Sequence, residues 1–550
     1  MLRLPRDHHR LDEALGHLCH VVRRSGGRAW VVGGAVRDAV LGLPVADLDV
    51  EVHGLPADRL EEALASEFVI DPVGLSFGVL KLRGVPIDVS LPRRESKAGL
   101  GHRGFLVESD PYLEFPAAAA RRDFTMNALA FDPLDHTLVD PFDGRADLQQ
   151  GVLRHCSAAF VEDPLRVLRG MQFAARFDLR GHPDTLALCR TIEPEGLAAE
   201  RIWQEWRKLL LLGRRPSAGL RFLREAGWLK FSPQLAALDG CPQDPEHHPE
   251  GDVYTHTGLC LDVFAHQRTG QEEDDLVVGL AVLCHDLGKP DTLERDADGR
   301  IRTPGHEQQS VIRAGEFLDS LACQHALARQ ILPLVACHGR PAQLYAEQAS
   351  DAAVRRLSRD AGRIDRLVRV VRADQGGRGP AGDPDPPAAR WLARRADELA
   401  VLDQGPAPII MGRHLLGLGM QPGLGGAGHA GLLRGPAGGE FRDERAAWRS
   451  CGSGSPRRAR TPRRGPGRPG TPRCTAAGHT GRRRAGGHAA RTRSHGPPRV
   501  GRRGARGRRR GSGRRGCRRR TPRRSPRPRC RSGSAARCAR GSWCPSAGHD

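Results

Sequence analysis

The sequence predicts a mixed α/β head followed by an all-helical body, with a C-terminal tail unable to fold. Three observations carry this reading. The runs "RAWVV", "DLDVEV" and "FGVLKLRGVPIDVSL" show short apolar or period-two segments broken by Gly and Pro, which is strand spacing. From "EDPLRVLRGMQFAARF" to "VRVVRADQGGR" the apolar residues recur at three and four, which is helix spacing. Residues 451–550 hold 31 arginines, no lysine and one acid, Asp550, and their sole Ile, Leu, Val or Met is Val500. Such a segment cannot bury enough apolar surface to offset its chain entropy.

Each element follows in order. "RAWVVGGAVRDAVLG" reads as strand, Gly-Gly turn and short helix; "DLDVEV" is a strand, and "FGVLKLRGVPIDVSL" a two-stranded hairpin. These place a small mixed sheet, with helices on one side, in residues 1–150. Residues 151–245 read as a helical neck and body, and 246–378 as a second helical domain studded with His and Asp. Residues 379–450 combine a Gly/Pro/Ala-rich linker with a helical patch at "ADELAVL" and "RHLLGLG", and 451–550 are the tail.

The chain of 550 residues carries a formal charge of +22, which suggests a nucleic-acid partner. Removing the tail's +30 leaves −8 on residues 1–450, so any RNA site in the folded part must be a local basic patch. Eight of 14 cysteines lie in residues 1–450 without CxxC spacing, several in apolar runs, as reduced buried thiols of a cytoplasmic protein would. No signal-peptide pattern or run of transmembrane length occurs, so no membrane partner is expected.

The stretch "VVGGAVRDAVLGLPVADLDVEV" lacks the third glycine of a dinucleotide loop and the GK of a Walker loop. Asp47 and Asp49, two apart on a strand, point to one face and can converge on a divalent metal. Gly33 and Gly34 let backbone N–H groups approach phosphate, and Arg37 lies one helical turn on. A bare DxD is more often an exposed polar strand face; GGxxRD ahead of it changes that balance.

Together they resemble the nucleotidyltransferase superfamily that includes DNA polymerase beta. "GGAVRD", "DLDV", "RRDFTMNALA" and "EDPLRVLR" occur in the order found in bacterial class II tRNA nucleotidyltransferases, the CCA-adding enzymes that carry an HD phosphohydrolase domain. The resemblance covers about residues 27–378 and fades toward Trp448. It implies a polymerase-beta-like head in which Asp47 and Asp49 hold Mg²⁺, with Asp88 of "PIDVSL" as third carboxylate. The 3′-hydroxyl of tRNA would attack the α-phosphate of CTP or ATP, with the acceptor arm and 3′ end of tRNA as the macromolecular partner. Arg122 matches a nucleotide-binding arginine, and Asp123 could accept a ribose hydroxyl or form an ion pair with Arg121. Asp163 and Arg166, three apart, should share a helix face and read the base edges of C and A, with Arg169 continuing that face and Glu162 capping the helix or orienting an arginine. Gln172 stands where relatives often carry arginine, which bears on base preference.

His256, His285, Asp286 and Asp374 follow the order H…HD…D of HD phosphohydrolases and suit a divalent transition metal; His306 and His338 could add ligands or be ordinary core histidines. Lys289 could meet a phosphate or be solvated. The resemblance implies 2′,3′-cyclic phosphodiesterase, 2′-nucleotidase or phosphatase activity. Competing readings are a poly(A) polymerase, a CC- or A-only adding enzyme, and an RNA-binding protein with an inactive head. The tail reads as an RNA-binding extension or, preferably, an out-of-frame translation of a GC-rich gene.

Overall fold

Strand formation starts at Arg28–Val32 (β1), where Ala29 to Val32 are all buried. The computed structural model describes residues 9–71, 79–97 and 105–405; the expected helix at "RHLLGLG" and the tail 451–550 lie outside the described residues. β2 (Leu48–His53), β3 (Ile70–Asp71), β4 (Val79–Leu82) and β5 (Ile87–Ser90) follow. β6 (Arg93–Lys97) and β7 (Phe105–Ser109) pair with each other, and β8 (Ala130–Asp132) and β9 (Thr137–Val139) complete the head. Seven strands form one sheet in the order β3-β4-β5-β2-β1-β8-β9. Its neighbours are antiparallel except β2 and β5, which run parallel, so the sheet is mixed as expected.

Alternation in β2 separates two environments. Leu48, Val50 and Val52 enter the main core with Leu11, Leu15 and Leu18 of α1 (His9–Arg24) and Leu60 and Leu64 of α3 (Ala57–Ala65). Asp49, Glu51 and His53 point the other way, and the turn from β1 leads into α2 (Gly34–Val40). That face is not bare: Trp30 and Val32 pack there against Phe115 and Ala119 of α4 (Phe115–Ala119). α5 (Gly144–Gln149) ends the head.

Beyond it come α6 (Leu165–Phe177), α7 (Pro183–Cys189), α8 (Ala199–Leu212), α9 (Pro216–Glu225) and α10 (Pro233–Ala236). The next group is α11 (Val253–His266), α12 (Glu272–Cys284), α13 (His306–Ser320), α14 (His325–Cys337), α15 (Arg340–Ala346), α16 (Asp351–Ala361), α17 (Ile364–Gly376) and α18 (Pro387–Glu398). Every residue of α12 from Asp275 to Cys284 is buried, the pattern of a helix enclosed on all sides. α8, α11, α13, α14 and α17 surround it. The buried core runs on across residues 150 and 245 without a break.

The body is mostly helical, but two short ladders interrupt the all-α expectation. β10 (Val152–Leu153) pairs in parallel with β11 (Arg180–Gly181), tying the chain after α5 to the exit of α6. β12 (Glu294–Arg295) and β13 (Ile301–Arg302) flank "DADG", whose Asp296 carboxylate accepts from the Asp298 and Arg300 N–H groups and folds the turn. Among the described residues no helix is long and apolar enough to cross a membrane.

Candidate active sites

The polar face of β2 forms the floor of a cavity of about 570 Å³. Asp49 lines it, and Asp47, exposed, lies two residues earlier. Register sets Asp49 beside Val32 of β1 on one side and Asp88 of β5 on the other. Parallel neighbours in register present side chains to one face, with strands about 4.8 Å apart. Asp88 thus stands next to Asp49, and it is ion-paired with Lys81 on β4. The chain packed around Asp49, then the charge of Asp47 and, against Arg122, that of Asp88, hold its carboxyl above the usual range.

Gly33 has φ 74°, and a Cβ there would lie 3.0 Å from the Arg122 guanidinium, so glycine lets the turn and Arg122 meet. Arg122 Nη2 is 3.4 Å from Glu51 Oε2. Gly34 and Arg37 also line the cavity, but Arg37 is buried. It donates to Asp38 at 2.8 Å and Asn127 at 2.6 Å and lies over Phe177. Arg37 is therefore an anchored wall.

The opposite wall departs from the helix-face expectation. Asp163 precedes α6 in an extended conformation, because a residue before proline is disfavoured in the helical region. Its Oδ1 accepts the Leu165 N–H, so Asp163, not Glu162, caps the helix. Asp163 Oδ2 accepts from Arg201 at 2.8 Å, and Arg166 donates to the carbonyls of Ala159 and Arg121, each at 2.7 Å. Asp163 and Arg166 both line the cavity without pairing to each other. Asp123 pairs with Arg169 at 2.6 Å, not with Arg121, and also accepts from Asn127 and the Phe124 N–H. Burial alone would raise its carboxyl, but Arg169 holds it below the usual range. Its two oxygens are engaged within the protein, so it positions Arg169 instead of presenting an open ribose acceptor. Seven arginines line the cavity, the local basic patch that a net acidic body requires.

The second cluster is assembled by α11, α12, α13, α14 and α17. His285 and His338 immediately follow α12 and α14, and their Nδ1 atoms take up the Val282 and Val335 carbonyls at 2.7 and 2.8 Å. His306 opens α13 with Nδ1 on the Thr303 carbonyl at 2.9 Å, and His256 on α11 directs Nδ1 to Glu250 Oε1 at 2.7 Å. With Nδ1 donating, all four turn Nε2 toward Asp286. His306 Nε2 and His338 Nε2 face each other at 3.3 Å. Asp286 Oδ1 is 3.5 Å from His306 and 3.8 Å from His338; Oδ2 is 3.0 Å from His285 and 3.8 Å from His256. Asp374 Oδ1 is 3.3 Å from His256. Lys289 is neither solvated nor open: buried, it lies 2.8 Å from Asp286 and donates to Gln243. Gly288 permits this packing, since a Cβ would fall 2.3 Å from the Ser310 nitrogen in α13.

The Poly A polymerase head domain matches residues 29–154. The Multifunctional CCA protein of Xylella fastidiosa (strain M12) is 37% identical over 389 residues, covering 68% of this chain and 90% of its own length. The chain belongs to the bacterial CCA-adding enzyme family. The Multifunctional CCA protein of Stenotrophomonas maltophilia (strain K279a) is 43% identical over 292 residues, 52% of this chain and 69% of the relative. The Bacillus stearothermophilus CCA-adding enzyme, solved in complex with CTP, shares the fold at TM-score 0.51 and 21% identity, covering 75% of this chain and 89% of that one.

Nucleotidyltransferases of this family work with a divalent metal, and the CCA-adding head here suits one. Asp49 and Asp88 stand in register with Asp47 close by, an excess of negative charge that Lys81 and Arg122 offset in part. The histidine cluster suits a metal by a different sign. His285 Nε2 and Asp286 Oδ1 are buried without hydrogen-bond partners, while Asp286 Oδ2 is ion-paired with Lys289. Burial also pushes His338 down to about 4, leaving its lone pair open at neutral pH. Sequence reasoning missed Asn127, Arg201, Glu250 and Cys260. Asn127 was in view within "RRDFTMNALA"; the others act through contacts made only in three dimensions.

Proposed function

We propose that this chain adds and repairs the 3′-terminal CCA of tRNA from CTP and ATP, and that a second site hydrolyses phosphate esters at damaged tRNA ends. The first activity belongs to the head (1–150) with the neck and body (151–245), the second to the HD region (246–378). The observation that carries the first is one cavity lined both by Asp49, the register neighbour of Asp88, and by Asp163, Arg166 and Arg169. Relatives named Multifunctional CCA protein support it.

In this reading the Gly33–Gly34 turn admits the triphosphate and Arg122 meets its charge. Asp47, Asp49 and Asp88 would hold Mg²⁺, which supplies charge neutralisation for the triphosphate and a more acidic 3′-hydroxyl. Asp163, whose oxygens each take a single donor within the protein and keep a lone pair, accepts from the exocyclic amine of C or A, a group that U and G do not present at that position. Two of Arg166's five donors are committed to carbonyls, fixing the remainder for the base. The oxygen–phosphorus bond to the new nucleotide forms as the bond to pyrophosphate breaks.

Incubation with tRNA lacking CCA and with labelled CTP and ATP tests this directly. Addition of two C and one A, then arrest, is expected. A long A tract would instead mean poly(A) polymerase, addition of C alone or A alone a partial enzyme, and no incorporation an inactive head.

Arg201 holds Asp163, and its Nη1 is buried without a partner. Arg201→Met is expected to raise UTP misincorporation relative to CTP about tenfold, the worth of roughly one hydrogen bond. Unchanged discrimination would remove Arg201 from base selection.

For the second site, the four Nε2 atoms, Asp286 and Asp374 would hold a divalent transition metal that supplies an activated water and neutralises phosphate charge. Asp286 faces two ligand sets, His256 and His285 on one oxygen, His306 and His338 on the other. Lys289 neutralises it from behind. The substrates fitting tRNA-end repair are 2′,3′-cyclic phosphates and 2′-monophosphates.

A further inference from the structure

Cys260 sits one helical turn after His256 on α11, so both side chains leave the helix on the same side. Its sulfur lies 3.3 Å from His256 Nε2, the nitrogen turned away from Glu250. The ligand atoms of His256, Cys260, His285 and Asp374 all lie within 4.8 Å of one another. The thiol is fully buried, with its other contact the Asp374 carbonyl at 3.7 Å. A Cβ on Gly377 would fall 2.4 Å from this sulfur, so glycine at the end of α17 brings that backbone down and fixes the sulfur against the cluster. An independent sign that the cluster suits a cation is His285 Nε2, buried and without a hydrogen-bond partner.

We propose that Cys260 is a metal ligand, making the inner pole of the cluster a two-histidine, one-carboxylate, one-thiolate site selective for a thiophilic divalent ion such as Zn²⁺ or Co²⁺. This rests on the reading that the histidine cluster binds a transition metal. A soft sulfur donor favours such ions over Mg²⁺ and Mn²⁺, which prefer all-oxygen shells. Four protein ligands also complete a tetrahedral set, as structural sites do, whereas hydrolytic sites keep a position for water. Of that set His256, Cys260 and His285 are at most 1% exposed, and Asp374 is partly exposed, as His306 is at the other end. The inner pole thus becomes the closed site, and an ion held by Asp286, His306 and His338 would supply the activated water at the other end.

The test uses the full chain, stripped with chelator and reloaded with Co²⁺ alone. Wild type is expected to bind Co²⁺ with a thiolate-to-cobalt charge-transfer band. Cys260→Ser is expected to lose that band while retaining bound Co²⁺ and an unchanged circular dichroism spectrum. Binding by wild type without the band, or a band persisting in Cys260→Ser, overturns the thiolate ligand and leaves the metal reading intact. No stoichiometric Co²⁺ in wild type overturns both. X-ray absorption of the Zn²⁺-loaded wild type decides the matter if the variant does not fold. A sulfur scatterer at about 2.3 Å supports the ligand, and a purely nitrogen and oxygen shell near 2.0–2.2 Å overturns it.

Discussion

Asp49→Asn should cut CTP and ATP incorporation by about a hundred- to a thousandfold, and at neutral pH should make the metal-free protein more stable than wild type. Both effects come from one crowding of charge. Asp49 lies in register with Asp88 and near Asp47, three carboxylates against which the protein sets Lys81 and Arg122. That arrangement costs stability until a divalent cation arrives and is useful only with one. Losing a preorganised charge-stabilising group commonly costs 10²–10³ in rate, roughly 3–4 kcal/mol of barrier. The sign of the stability effect follows from the raised Asp49 carboxyl. A carboxyl that binds its proton more tightly when folded contributes stability below the ordinary carboxylate range and loses it as pH rises through the elevated value. At neutral pH wild type has lost that contribution, whereas asparagine never ionises. Thermal midpoints without metal should therefore be higher for Asp49→Asn at pH 7, with the gap closing on acidification. Mg²⁺ should narrow it by stabilising wild type alone. Near-normal incorporation by the variant would remove Asp49 from the chemistry; a lower midpoint at pH 7 would show that the carboxylates are balanced within the protein.

The motifs were legible because their geometry is local. "DLDV" fixes a strand face by period two, and "GGAVRD" fixes a turn that glycine alone enters cheaply, as Gly33 at φ 74° bears out. Pairing is not local. That Asp88 lands beside Asp49 depends on β5 running parallel to β2, which no spacing within "PIDVSL" reveals. The helix-face reading of Asp163 and Arg166 failed for a reason present in the sequence: Pro164 bars its predecessor from the helix, so the count of three residues crosses a helix start. Asp123 changed meaning because Arg169 and Asn127 reach it from α6 and from the same motif, a saturation visible only with side chains in place. In the second cluster the "HDLGK" pattern located two ligands, but Glu250 orienting His256, and Cys260 beside it, emerge only once α11 is wound against α17.

The charge balance takes on meaning in the same way. At −8 over residues 1–450 any RNA site must be a local patch, and one cavity gathers seven arginines, several of them held by acids such as Asp38, Glu51, Asp123 and Asp163. Those acids orient guanidinium groups more than they cancel them. A bidentate or bridged arginine keeps its remaining donors aimed, so its entropy cost is met before a nucleotide binds.

His285→Ala and Asp286→Asn should each remove phosphate-ester hydrolysis while CCA addition stays within about twofold of wild type. The head cavity and the histidine cluster share no residue, and the helices bearing the cluster ligands are not those lining the nucleotide wall. The choice of asparagine matters. Asp286 is buried against Lys289, whose other polar partner is Gln243. Truncation to alanine would leave a largely buried cation unpaired, a loss of about 3–5 kcal/mol in comparable cases. Asn keeps the volume and one acceptor for Lys289 while removing the charge that faces both histidine pairs. His285→Ala opens a cavity but leaves its α12 terminus exposed only to neighbours already packed there, so a folded protein lacking one ligand is expected. Metal content measured beside both activities separates the outcomes. Bound metal should fall in step with hydrolysis of a 2′,3′-cyclic phosphate, at least about tenfold for each variant, with labelled CTP incorporation unaffected. Loss of both activities in a variant with native circular dichroism would mean that the two sites are coupled, and retained hydrolysis in Asp286→Asn would place the hydrolytic centre elsewhere.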